Sequence, residues 1–288
     1  MATFFAERLR VPVFPTSVAD AVAAGRGMDG VVLLLDTADC TGGGSAGDSI
    51  VLVRSLLDCG AGATEDETCF AMLVDPAAAA SCLAAGAGAQ LELELGHSLD
   101  STECRAAAGL PPWGEPLKAT GTVLRAEADA RFEYSGGMLG GSTVSMGCSA
   151  VWKVQEIKVL IMSIATYDWA DEQYKRMGME PSTAKFIGVK NMMNFRSGYS
   201  HVTDVERNAI VLNCAGPTPP DMVSLPFQRL QQPCWLPPGV EGEEEVVTEP
   251  TIELLHLEKA TSADGWADAG STAESRRRRA RDGRDYDV

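Results

Sequence analysis

The sequence predicts an α/β fold: a mixed sheet with a β-α-β-α start, an antiparallel meander and flanking helices, followed by a disordered tail. Three observations predict it. An apolar run, Val31 to Asp36, ends in a glycine-rich loop and leads into a segment with helical periodicity. The stretch "AQLELELG" alternates apolar and polar residues with period 2, as a half-buried strand does. Beyond Pro237 and Pro238 all periodicity fades.

The elements follow in order. Residues 1–29 read as a lead-in with one short helix at Ser17 to Ala24. Val31 to Asp36 is strand-sized and wholly apolar until its end, which suits a strand buried on both faces. Ile50, Val53, Leu56 and Leu57 recur at helical spacing within a helix from about Ser49 to Cys59. "CFAMLVDP" is a second strand stopped by Pro76, and "AAAASCLAAG" a second helix stopped by Gly86. Two such strand–helix units imply parallel pairing with right-handed crossovers. "LKATGTVLRAEA", "RFEYSGG", "TVSMGCSAVWKV" and "IKVLIMSIATY" then follow with glycine and charged turns between them, which is antiparallel in character. A helix at Ala170 to Met177 and the strands "AKFIGVK" and "NAIVLNC" complete a domain over 30–237. Residues 238–288 are acidic, then arginine-rich, and no internal repeat is present.

Charge and composition narrow the function. The chain of 288 residues has a formal net charge of −16, which disfavours a nucleic-acid surface, because phosphate binding needs a cationic face. The charge is uneven: Glu241 and Glu243 to Glu245 form an acidic knot, and Arg276 to Arg279, Arg281 and Arg284 a basic end. Blocks of like charge mark solvated tails; a docking arm is the alternative. No apolar run approaches the roughly 18 residues of a membrane span. Eight cysteines are scattered without a CxxC pair and without a secretory leader, so they read as reduced and structural. A cytoplasmic location is the expectation. The start "MATFFAERLRVPVFP" and the arginine-rich end point to an organelle or the nucleus as alternatives.

The loop "DTADCTGGGSAGD" holds the chemistry-bearing residues. Gly42, Gly44 and Gly47 fit G-x-G-x-x-G between a strand and a helix, the pattern that brings backbone amides to a pyrophosphate. Five residues separate Asp36 from the first glycine, however, where that fingerprint turns at once, and no ribose-binding acid follows at the right distance. Asp36, Asp39 and Asp48 around a flexible loop would suit a hard cation. The structural alternative is that Asp48 caps the helix and that Asp36 and Asp39 hold the turn by side-chain hydrogen bonds. Of three histidines, His97 ends a strand, His256 lies in the tail, and His201 alone falls near a pocket-forming segment. There is no HExxH, and no histidine pair has zinc-ligand spacing.

In order and spacing the chain resembles the C-terminal domain of the MlrC (microcystinase C, microcystin-degradation) family, zinc metallopeptidase-like hydrolases, from about residue 17 to 237. Asp39, Cys40, Thr41, Gly42, Gly43, Gly44, then Gly47 and Asp48, stand where that family carries Asp-Asn-Pro-Gly-Gly-Gly and then Gly-Asp. "VDPAAAASCLAAGAGA", "GEPLKATGTV", "FEYSGGMLGG", "VKNMMNFRSGY" and "GPTPPDMVSLPFQRLQQPCWLP" match further family segments in the same order. The resemblance implies metal-dependent hydrolysis of amide bonds, with a zinc-bound water as nucleophile and the zinc ligands on a preceding N-terminal domain. Zinc is expected only with that domain, which together with a peptide-like small molecule is the implied partner. This chain would line the cleft with Asp36, Asp39, Gly42, Gly43, Gly44 and Asp48, plus Lys190, Asn194 and Arg196. Departures are Asn194 for the family's histidine, and Ile164, Ala165 and Tyr167 at polar positions. Two other readings stay open: a non-catalytic partner-binding module with a basic tail, and a nucleotide-binding module using GGGSAG.

Overall fold

Strand β1 (Val32–Leu35) is buried at all four positions, and its side chains alternate between two cores. Val32 and Leu34 face one core, Leu33 and Leu35 the other. Strand β2 (Cys69–Val74) behaves alike, with Cys69, Ala71 and Leu73 on one side and Phe70, Met72 and Val74 on the other. Continuous apolar strands of this kind need a layer on each face, and the molecule supplies both.

The structure is a computed structural model in which residues 16–97 and 113–220 are described; they fall within one unit, Pro12–Phe227. The predicted tail lies outside the described residues. Eight strands form one sheet in the order β3-β4-β5-β6-β2-β7-β1-β8. The remaining strands are β3 (Gln90–Leu95), β4 (Leu117–Glu133), β5 (Thr143–Val154), β6 (Ile157–Met162), β7 (Phe186–Val189) and β8 (Ala209–Val211). From β6 to β8 every pairing is parallel; from β3 to β6 every pairing is antiparallel. The mixed α/β architecture is therefore as the sequence predicts.

Helices α1 (Val18–Arg26), α2 (Val51–Asp58) and α3 (Pro76–Ala85) pack on one face through Val18, Ala21, Val22, Leu52, Val53, Leu56, Ala78 and Cys82. The Ser17 side chain caps α1, and Asp75 caps α3 by accepting from the Ala78 amide at 3.0 Å. On the other face, α4 (Glu172–Arg176) contributes Tyr174 and α5 (Phe195–Tyr199) contributes Phe195 and Tyr199. The far half of the β4–β5 ribbon curls over the same core with Ala130, Phe132 and Met146. Register shifts along this ribbon, between Val123 and Arg125 and around Ala130, supply the bend.

Four details differ from expectation. β1 and β2 are parallel but not neighbours, because β7 lies between them, pairing Val32 with Phe186 and Cys69 with Phe186. Two expected strands fuse into the single β4, since bulges let one strand run on where a turn was expected. α2 starts at Val51, not Ser49, and its cap residue is Ile50, which makes no side-chain cap; Asp48 is therefore not the helix cap. The helix expected over Ala170 to Met177 is only α4, with Asp171 and Met177 as its caps. No described helix is long and apolar enough to cross a membrane. The described cysteines, Cys40, Cys59, Cys69, Cys82, Cys148 and Cys214, are free thiols.

Candidate functional site

In an open parallel sheet the loops at the carboxyl ends of the strands are where ligands gather. Here those loops interlock. After β1, Thr41 donates its hydroxyl to the Thr166 carbonyl of the β6 loop at 2.9 Å. Thr218, in the segment after β8, accepts from the Cys40 amide at 3.1 Å and donates to the Thr37 carbonyl at 2.7 Å. Asp168 of the β6 loop accepts from the Lys190 amide at 2.8 Å, and its carbonyl accepts from Asn191 Nδ2 at 2.7 Å.

At the centre sits a buried ion pair. Lys190, the first residue after β7, places Nζ 2.5 Å from Asp39 Oδ2, with side-chain exposures of 5% and 1%. The same ammonium donates to the Gly47 carbonyl at 3.2 Å and the Ser49 carbonyl at 3.1 Å, so its three protons are all engaged. Asp39 accepts in turn from the Gly47 amide (Oδ1, 2.9 Å) and the Ser49 amide (Oδ2, 2.8 Å). Burial works against the charge on both groups. The attraction of the pair and the amide bonds overcome it, holding Asp39 below the usual carboxylate range and Lys190 above its ordinary value. Gly47 is required at the turn they clamp: its φ is +79°, and a Cβ would sit 2.8 Å from both Thr41 and Val74.

Asp36 is near this pair and entirely buried. Its oxygens approach the Ala38 amide and the Cys214 thiol, but neither contact reaches hydrogen-bond geometry. Burial raises its pKa, and Lys190 offsets only part of the rise. Asp168 is likewise buried, and desolvation pushes it up to about 7 against the pull of its bonds to the Lys190 amide and Tyr199. Asp48, 3% exposed, accepts the His97 amide on its carbonyl at 2.8 Å.

The glycine turn is folded on itself. The amides of Gly43 and Ser45 donate to the Cys40 carbonyl, and that of Gly44 to the Thr41 carbonyl. None of these three donors is left for a phosphate, and six residues separate Gly44 from α2. The dinucleotide pattern is matched in letters and not in geometry. Gly42 is needed for another reason: a Cβ there would lie 2.2 Å from the Tyr167 ring.

The structure thus brings together Asp36, Asp39, Asp48 and Lys190, with Gly42 to Gly44 alongside. Asn194 joins from the β7 loop, its Nδ2 donating to the Tyr167 hydroxyl at 2.5 Å. Arg196 does not join: it pairs with exposed Glu206 at 2.8 Å and lies over the Phe195 ring. His201 is also displaced, half-exposed beside Asp171 and Lys175. The histidine that feels this cluster is His97, in a left-handed conformation at φ 53°. Burial lowers its pKa, while Asp48 and Asp39 pull it back up. Its signal in the sequence is only its position at the end of the alternating strand, next to Gly96. As to a metal, Asp39 has both oxygens engaged by amides and an ammonium, and the described residues gather no set of three His, Cys, Asp or Glu ligands. With its oxygens so engaged, Asp39 does not fit the role of a zinc ligand.

A family model described as "MlrC C-terminus" matches residues 34–229. The chain belongs to the MlrC C-terminal family. No curated protein matches it. Among solved structures, a candidate metallopeptidase from Mesorhizobium sp. BNC1 superposes with a TM-score of 0.63 at 19% identity. The alignment covers 76% of this chain and 41% of that one, so the chain spans under half the length of that structure and shares its fold. The interlocked carboxyl-edge loops all fall inside the MlrC-matched span, from Asp36 to Thr218.

Proposed function

We propose that the chain is the C-terminal part of an MlrC-type, metal-dependent hydrolase of amide bonds in peptides or related small molecules. In this reading its carboxyl-edge loops form one wall of the substrate cleft, and the metal is held by polypeptide outside this chain. The observation that supports it most is the interlocking of loops from β1, β6, β7 and β8 at one edge of the sheet, within the family's matched span.

The geometry also divides the labour. Asp39 and Lys190 are shut away from solvent and fully bonded, so they shape the Gly47–Ser49 turn and do not meet substrate. Groups able to reach a ligand are those on the rim: Tyr167, Asn194, and the exposed side chains of Ile164, Met192 and Met193. The chain in this role orients and encloses, while the bond-breaking groups come from the partner region.

Mixing the chain with an MlrC-type N-terminal region and assaying zinc-dependent hydrolysis of a peptide library tests the reading. Hydrolysis that needs both polypeptides and disappears on chelation is the expected result. An N-terminal region that hydrolyses equally well without this chain, or a mixture that never does, would overturn it.

A further inference from the structure

Tyr167 occupies the middle of the carboxyl edge. Its ring fills the space left by the missing side chain of Gly42, and it meets the Trp169 ring edge-on at 6.2 Å between centroids. Its main chain is fixed, because its carbonyl accepts from Tyr134 Oη and Gln173 Nε2, each at 2.9 Å. The hydroxyl accepts from Asn194 Nδ2. Asn191 stands beside the same hydroxyl with its own functions engaged, Nδ2 by the Asp168 carbonyl and Oδ1 by the Met193 amide. Among the described residues no bond engages the phenolic proton or Asn194 Oδ1, so a donor and an acceptor lie side by side on a half-buried rim.

That pairing has a chemical counterpart. In an extended peptide the N–H and C=O of a single residue point the same way, as they do toward a neighbouring strand. We propose that the Tyr167 hydroxyl and the Asn194 carboxamide hold one residue of an extended peptide-like ligand, the phenol donating to its C=O and its N–H donating to Asn194 Oδ1. Half-buried Trp169, whose ring meets that of Tyr167, makes the neighbouring surface apolar, which favours an apolar side chain on that residue. Burial raises the Tyr167 pKa, so the phenol keeps its proton at neutral pH. This site rests on the peptide-like substrate proposed above and names the groups that would read it.

The test is binding to the full chain, followed by NMR titration, of N-acetyl-L-phenylalaninamide and its ester analogue O-acetyl-L-phenyllactamide, which lacks the donating N–H. The amide should bind saturably, and both Tyr167→Phe and Asn194→Ala should weaken it roughly three- to tenfold, the loss of one hydrogen bond. The ester should bind the native chain more weakly by a similar factor and lose nothing further in Asn194→Ala. Tyr167→Phe keeps the ring against Gly42, so an unchanged thermal midpoint shows that the fold is retained. No saturable binding of the amide, or one dissociation constant across the native chain and both variants, would overturn the site. Zinc-dependent hydrolysis in the two-part mixture without probe binding defeats this site and leaves the proposed function standing. Probe binding that follows the cycle above supports the site even if the mixture is inert.

Discussion

The antiparallel wing and the turn that follows β1 handle charge in opposite ways. On the antiparallel wing, ion pairs are partly or fully exposed: Arg125 and Arg176 share Glu127, Arg131 meets Asp129, and Lys153 meets Glu156. At the edge of the parallel half, a single pair, Asp39 with Lys190, is sealed inside and surrounded by backbone bonds. Water and salt screen the first kind, which contribute little each. The second kind gains little over apolar packing but is costly to break, so it acts as a constraint on loop shape. A wing that tolerates change and an edge that does not is what a scaffold carrying a site requires.

The largest expected effect breaks that edge. Lys190→Met leaves Asp39 buried without its partner and should lower the unfolding free energy by about 3–5 kcal/mol in urea titrations. A loss below about 1 kcal/mol would put the pair on a level with the wing. Next comes a pH effect from Asp168. Its folded pKa, about 7, lies above the unfolded value, so the native state holds an extra proton between about pH 4 and 7. The stability it contributes is complete below about pH 4 and is lost as pH rises to about 7, on the order of a few kcal/mol. Asp168→Asn should flatten this fall between about pH 4 and 7; parallel curves for variant and native chain would refute it.

A smaller effect is expected at Gly42. The Cβ of Gly42→Ala would press on the Tyr167 ring at 2.2 Å, costing about 1–3 kcal/mol and shifting the ring's NMR resonances. Unmoved resonances would show that the glycine turn yields instead. The smallest belongs to the wing. Arg176→Ala, which removes a partly exposed pair with Glu127, should change stability by less than about 1 kcal/mol in the same titration, and a larger loss would erase the contrast between the halves.

Much of this division is legible in the sequence. The uninterrupted runs at Val31 to Leu35 and Cys69 to Val74 announce strands buried on both faces, and "AQLELELG" announces the half-open wing. The loop holding Asp36, Asp39 and Asp48 is visible because three carboxylates and consecutive glycines between a strand and a helix need an explanation. The family resemblance singles out Lys190 as a cleft residue, but nothing in the sequence pairs it with Asp39, because no local pattern links residues that far apart. Arg196 misleads because two positions after Asn194 on a short helix is a different face. His97 and Tyr167 are hidden for the same reason as Lys190: their roles come from tertiary proximity, and neither periodicity nor spacing encodes it.

The place of β7 between β1 and β2 has a consequence for how the chain is made. Once the chain has emerged as far as Met162, β2 can already pair with β6, and β6 with β5, so the wing and its neighbour can assemble. β1 has no sheet partner until Phe186 to Val189 and Ala209 to Val211 emerge. Its apolar run must therefore wait, exposed, until those strands are made, and its late, distant pairing makes it a slow step and an aggregation hazard. A nascent chain stalled before Phe186 should be recognised by holdase chaperones at Val31 to Leu35, and one stalled after Val211 should escape them.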